Sequence, residues 1–125
     1  MEEKTYKIAI VDDENDILQM IQKFLNRSGK FRISIYSNPI TAISSIDDTY
    51  DIVLLDIMMP QMNGLDALAE ILKKNPNQKV IMMTAFSTLD KVLKSHKEGA
   101  IHYLMKPFDS LQTVEKKIDE VLKLK

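Results

Sequence analysis

Cysteine is missing from the 125-residue chain, and glycine occurs only three times. The first absence excludes a disulfide framework and every thiolate metal site. The second excludes a Walker loop and a dinucleotide fingerprint, since Gly29, Gly64 and Gly99 stand far apart and both motifs need clustered glycines. An excess of either charge is missing too: 17 basic residues face 18 acidic ones, a formal −1. So balanced a chain is no broadly basic nucleic-acid binder. No apolar run approaches the ~18 residues of a membrane span. The opening MEEKT is acidic where a signal peptide would be basic. These absences predict a cytoplasmic protein with no direct contact to nucleic acid or membrane. What is present, 45% apolar and 28% charged residues over a length that suits one core, predicts a single domain over residues 1–125.

The hydrophobic pattern alternates between two periods. Short apolar runs at Tyr6–Val11, Phe31–Tyr36, Ile52–Leu55, Val80–Met83 and Ile101–Met105 read as strands, the third and fourth buried on both faces. Between them, helical spacing appears four times. The first apolar face is Ile17, Leu18, Ile21, Phe24 and Leu25. Leu65, Leu68, Ile71 and Leu72 make another, and Leu89, Val92 and Leu93 a shorter one. The last is Leu111, Val114, Ile118, Val121 and Leu122. Asn38-Pro39 reads as an N-cap with Pro in the first helical position, opening a further helix through Ile46. Asp109-Ser110 offers capping oxygens to the final helix. Gly29 and Gly99 sit where helices should end, and Gly64 where one opens.

Five strands alternating with five helices predict a doubly wound α/β fold: a parallel sheet of order 2-1-3-4-5 with helices on both faces. Such sheets bind ligands at the C-terminal ends of their strands. Those ends carry Asp12-Asp13-Glu14 on the first strand, Asp56 on the third, Thr84 on the fourth and Lys106-Pro107 on the fifth. Carboxylates brought together repel one another unless a cation or protons intervene. With oxygen ligands only, the fitting ion is Mg²⁺, with Mn²⁺ as a substitute. Lys106 and Thr84 could then meet the oxygens of a transferring phosphoryl group, and an Asp carboxylate can itself accept one.

Each residue also has a plainer reading. Acids after a strand cap the next helix and complement its dipole, an Asp bounding a strand punctuates a turn, and a lysine is ordinarily solvated. Convergence of all of them on one sheet edge is what distinguishes the chemical reading.

The segments IAIVDDE, IVLLDIMMPQMNG, VIMMTA and GAIHYLMKPF occur in that order over essentially the whole chain. Together they resemble the receiver domain of bacterial two-component response regulators, with its flavodoxin-like fold. The resemblance implies that Asp56 accepts a phosphoryl group from a histidine kinase or a histidine phosphotransfer protein. It implies Mg²⁺ bound directly by Asp13, Asp56 and the backbone carbonyl of Met58, with Asp12 acting through water. Thr84 and Lys106 would contact the phosphoryl oxygens, Lys106-Pro107 would be cis, and Tyr103 would be the aromatic switch that follows Thr84. Output would pass through the fourth helix, fifth strand and fifth helix to a downstream protein that the sequence does not name.

Met58 and Phe86, two residues beyond Asp56 and Thr84, cannot orient an attacking water as an acid or amide would, which predicts slow self-dephosphorylation. The chain is then no enzyme beyond catalysing its own phosphorylation and dephosphorylation. Two rival readings are a pseudo-receiver serving only protein contacts and a Mg²⁺-dependent phosphatase with an aspartyl nucleophile. The phosphatase would want a second acid where Met58 stands, and the pseudo-receiver would have no use for the full set of site residues. Lys91, Lys94 and Lys97 form a basic stripe that suits solvent, an acidic peptide or a phosphorylation-dependent homodimer. His96 and His102 are isolated, and the eight Met residues suit flexible packing rather than a soft-metal site. The final helix predicts either a stand-alone regulator of the chemotaxis or phosphorelay type or a receiver cut from a larger protein.

Overall fold

The computed structural model describes residues 5–85 and 102–123. Strand β1 (Tyr6–Val11) leads through helix α1 (Asn15–Asn26) to β2 (Phe31–Tyr36), and α2 (Pro39–Ser45) leads to β3 (Ile52–Asp56). Helix α3 (Gly64–Lys74) precedes β4 (Val80–Ala85), and β5 (His102–Lys106) precedes α4 (Leu111–Leu122). Here α4 is the fifth helix of the sequence reading. The predicted helix at Leu89–Leu93, its lysine stripe, Phe86, His96 and Gly99 lie outside the described residues.

All pairings are parallel, and the strand order is β2-β1-β3-β4-β5, as the alternation of periods required. Strand parity sorts the core into two layers. Ala9, Val11, Val53, Leu55 and Met82 face α2 and α3, where Ala42, Ala67, Leu68 and Ile71 cover them. Ile8, Ile10, Ile52, Leu54, Ile81 and Met83 face the opposite way, against Leu18, Ile21 and Leu25 of α1 and Val114, Ile118 and Val121 of α4. Every residue of β3 is buried, so its terminal Asp56 is carried into the interior by the strand itself.

Helix ends follow the local chemistry. Asn38 Oδ1 accepts from the Ile40 amide at 2.9 Å, Asn63 Oδ1 from Asp66 at 2.9 Å, and Ser110 Oγ from Thr113 at 3.3 Å, each satisfying an N–H that the helix leaves unpaired. Helix α1 is the exception, for the side chain of its N-cap, Glu14, makes no capping bond. Gly29, just past α1, adopts φ +71°, the left-handed conformation that glycine tolerates. Among the described residues, no helix is long and apolar enough to cross a membrane.

Candidate functional site

Strand register places the chemistry. β1, β3, β4 and β5 are adjacent, and their C-terminal ends deliver Asp12, Asp56, Thr84 and Lys106 to one edge of the sheet. Oxygens of Asp12, Asp13 and Asp56 lie within 4.8 Å of one another. Asp12 is fully buried and Asp56 only 4% exposed, while Asp13 is the most solvent-facing of the three. Thr84 is 1% exposed and hydrogen-bonds the Ala85 carbonyl.

Lys106 supplies the counter-charge. Its ammonium lies 2.6 Å from Asp12 Oδ2, 3.3 Å from Asp56 Oδ1 and 3.7 Å from Glu14 Oε1. Asp12 also accepts the Glu14 amide at 2.9 Å through its other oxygen. The carboxylate of Asp12 is therefore divided: one oxygen forms a turn with Glu14 and the other bonds Lys106.

Three carboxylates against one half-buried ammonium leave the site short of positive charge. Burial pushes the Asp56 carboxyl up to about 6, Asp12 and Asp13 push it the same way, and Lys106 opposes without cancelling them. Burial works against the charge on Lys106, but its hydrogen bonds and attraction to Asp12 and Asp56 outweigh this and hold its pKa above the ordinary value. An all-oxygen cluster with a buried deficit of cation, opening to solvent on one side, fits a small hard divalent ion that keeps some of its water. A softer metal would find no thiolate, and no imidazole joins the cluster among the described residues.

The remaining predicted residues fall around this centre. Met58 follows β3 with an exposed side chain. Lys106-Pro107 is cis, as expected. Tyr103 is a β5 residue paired with Met82 and 37% exposed. His102 is a strand residue outside the carboxylate cluster. Met82 and Met83 are fully buried in the core, which accords with packing.

One feature escaped the sequence reading and another was met only in part. Gly64, foreseen only as a helix start, lies directly against the backbone of Asp56 and Ile57. The second is an apolar groove of about 510 Å³ beside the site, lined by Ile17 and Met20 of α1 together with Lys106, Phe108 and Leu111. The alternation of apolar residues on α1 gave part of that signal, since Met20 falls off the buried stripe.

A family model described as the response regulator receiver domain matches residues 8–119. The chemotaxis protein CheY of Listeria monocytogenes is 37% identical over 110 residues, covering 87% of this chain and 92% of that protein. The transcriptional regulatory protein ZraR of Klebsiella oxytoca is 37% identical over 108 residues, 84% of this chain, which spans only 24% of ZraR. Among solved structures, a response regulator receiver domain protein from Clostridium thermocellum superposes with a TM-score of 0.83 at 33% identity, covering 94% of each chain.

Proposed function

The chain belongs to the response regulator receiver domains of two-component systems, and on that premise we propose that Asp56 is its phosphoryl acceptor in a Mg²⁺-dependent reaction. Receiver domains are phosphorylated on an aspartate by histidine kinases and signal to partner proteins. The observation that carries the assignment is that the buried Asp56 clusters with Asp12, Asp13 and Lys106.

In this reading Asp13, Asp56 and the Met58 carbonyl would hold the ion directly and Asp12 would act through water, with Mn²⁺ as a substitute for Mg²⁺. The ion supplies charge neutralisation for the transferring group. An oxygen of the Asp56 carboxylate attacks the phosphorus of a phosphohistidine. The P–N bond breaks as the new P–O bond forms, and the imidazole leaves with the electron pair and takes a proton from solvent. With a pKa of about 6, Asp56 is mostly ionised, and so nucleophilic, near neutral pH. Lys106 and Thr84 bond the phosphoryl oxygens, and until then Lys106 offsets the repulsion between Asp12 and Asp56.

The donor is a histidine kinase or a histidine phosphotransfer protein, whose apolar helical surface fits the groove between α1 and Leu111. Phosphorylation adds about −1.5 to −2 charges at neutral pH, drawing Thr84 and Lys106 to the new oxygens. Tyr103 follows Thr84, and the surface of β5, α4 and the predicted helix before β5 carries the change to a downstream protein or a second copy. In this reading the domain spans residues 1–125, acts in the cytoplasm, and catalyses only its own phosphorylation and dephosphorylation.

Incubation with acetyl phosphate and Mg²⁺, followed by peptide mass spectrometry, tests the assignment. Modification confined to the Asp56 peptide, and lost on chelation, is the expected result. Modification elsewhere would overturn it, and a chain that takes no phosphoryl group at all would favour the pseudo-receiver.

A further inference from the structure

Gly64 is required by space and not by backbone conformation. Its φ lies outside the left-handed region, unlike that of Gly29. A Cβ at position 64 would stand 2.3 Å from the Asp56 carbonyl oxygen and 2.6 Å from the Ile57 Cα. Both are backbone atoms of the segment that carries the acceptor, so no side-chain rotation relieves the contact.

The same contact closes a loop. The Gly64 amide, one of the N–H groups that the start of α3 leaves unpaired, donates to the Ile57 carbonyl at 2.7 Å. The Ile57 amide in turn donates to the Met83 carbonyl at 3.2 Å. Ile57 is thus pinned to β4 on one side and to α3 on the other. It stands between Asp56 and Met58, which contribute a carboxylate and a carbonyl to the proposed ion site.

The geometry points to Gly64 as a positioning residue for phosphoryl transfer: its missing side chain lets α3 seat against Asp56 and Ile57, and so fixes where the acceptor carboxylate and the Met58 carbonyl sit. The inference rests on the reading of Asp56 and Mg²⁺ given above. A methyl group there must push α3 or the loop away by on the order of 1 Å to reach ordinary contact, a displacement that can cost ~10²-fold in a reaction depending on orientation. Ion binding suffers first, because small hard cations tolerate little departure from their ligand geometry.

Gly64→Ala and Gly29→Ala make the test, because each adds one methyl group for opposite reasons. Gly29 has nothing within 4 Å of its would-be Cβ, so its substitution strains only the backbone. Mg²⁺ affinity measured by calorimetry, at a temperature where both variants are folded, should fall at least ~10-fold in Gly64→Ala and stay at the wild-type value in Gly29→Ala. Initial phosphorylation by acetyl phosphate at saturating Mg²⁺ should also slow in Gly64→Ala alone. Wild-type Mg²⁺ affinity in a folded Gly64→Ala variant would overturn the inference and leave the Asp56 assignment standing. If the variant does not fold, amide exchange in the wild type decides. Slower exchange of the Gly64 amide on adding Mg²⁺ supports the coupling, and unchanged exchange refutes it. A wild-type chain that binds no Mg²⁺ would overturn the metal reading and this inference with it.

Discussion

At the amino end of the sheet, the Asp51 amide donates to the Lys7 carbonyl at 2.7 Å while the Lys7 amide donates to the Asp51 carboxylate at 2.8 Å. The Lys7 ammonium reaches Thr49 Oγ1 at 2.7 Å and lies 4.3 Å from the centre of the Tyr50 ring. Gln78 Nε2 bonds the carbonyls of Tyr50 and Lys79. At the carboxyl end, Asp12, Asp13 and Asp56 cluster, two of those three acids are buried, and Lys106 contacts the two buried ones. The residue types are much the same at the two ends. The amino end bonds its charged groups to neutral partners near solvent, and Gln78 Oε1 is the one buried side-chain polar atom without a partner among the described residues. The carboxyl end gathers like charge in the interior, where the carboxyl of Asp56 is pushed up to about 6. Polar groups at one end tie loops together; those at the other are held in an arrangement that a cation and a phosphoryl group would complete.

The largest break in that contrast should come from Lys106→Met. It removes the counter-charge from two buried carboxylates, which ordinarily costs about 3–5 kcal/mol, and it should abolish phosphorylation by acetyl phosphate. Denaturant unfolding without Mg²⁺ measures the first effect and mass spectrometry the second. Met58→Asn should leave stability nearly unchanged and quicken loss of the phosphoryl group by ~10-fold, about 1.4 kcal/mol of barrier, because an amide can orient water where a thioether cannot. Decay of the phosphorylated form after donor removal reads this directly. A wild-type half-life of seconds that does not change in the variant would count against it. Smallest is Asp51→Ala at the amino end: a loss of about 1 kcal/mol from a part-exposed hydrogen bond, with phosphorylation at the wild-type rate.

Much of this was legible in the sequence because strand parity and helix caps are local. The runs VLL and VIMM named the buried strands, Asn38-Pro39 named a helix start, and alternation of periods implied the strand order that brings Asp12, Asp56, Thr84 and Lys106 together. Distances across the sheet were not legible. Nothing in the chain order says that Lys106 stands closer to Asp12 than to Asp56, or that one oxygen of Asp12 is used in a turn with Glu14. Gly64 was read as the opening of a helix because sequence displays conformational preference and conceals close approach. Only the tertiary structure shows Asp56 and Ile57 where its side chain would be.

The claim that the carboxyl end sacrifices stability for chemistry rests on the ionisation of Asp56. Its folded pKa of about 6 lies above the ordinary 3.8, so folding favours the protonated acid. Stability from this group is present below pH 4 and is lost as pH rises through about 6. The measurement is the unfolding free energy of wild type and Asp56→Asn, both without Mg²⁺, at pH 7 and pH 5. Asp56→Asn should be the more stable at pH 7, by up to about 3 kcal/mol, with the gap narrowing at pH 5. An Asp56→Asn protein no more stable than wild type at pH 7 would contradict the account.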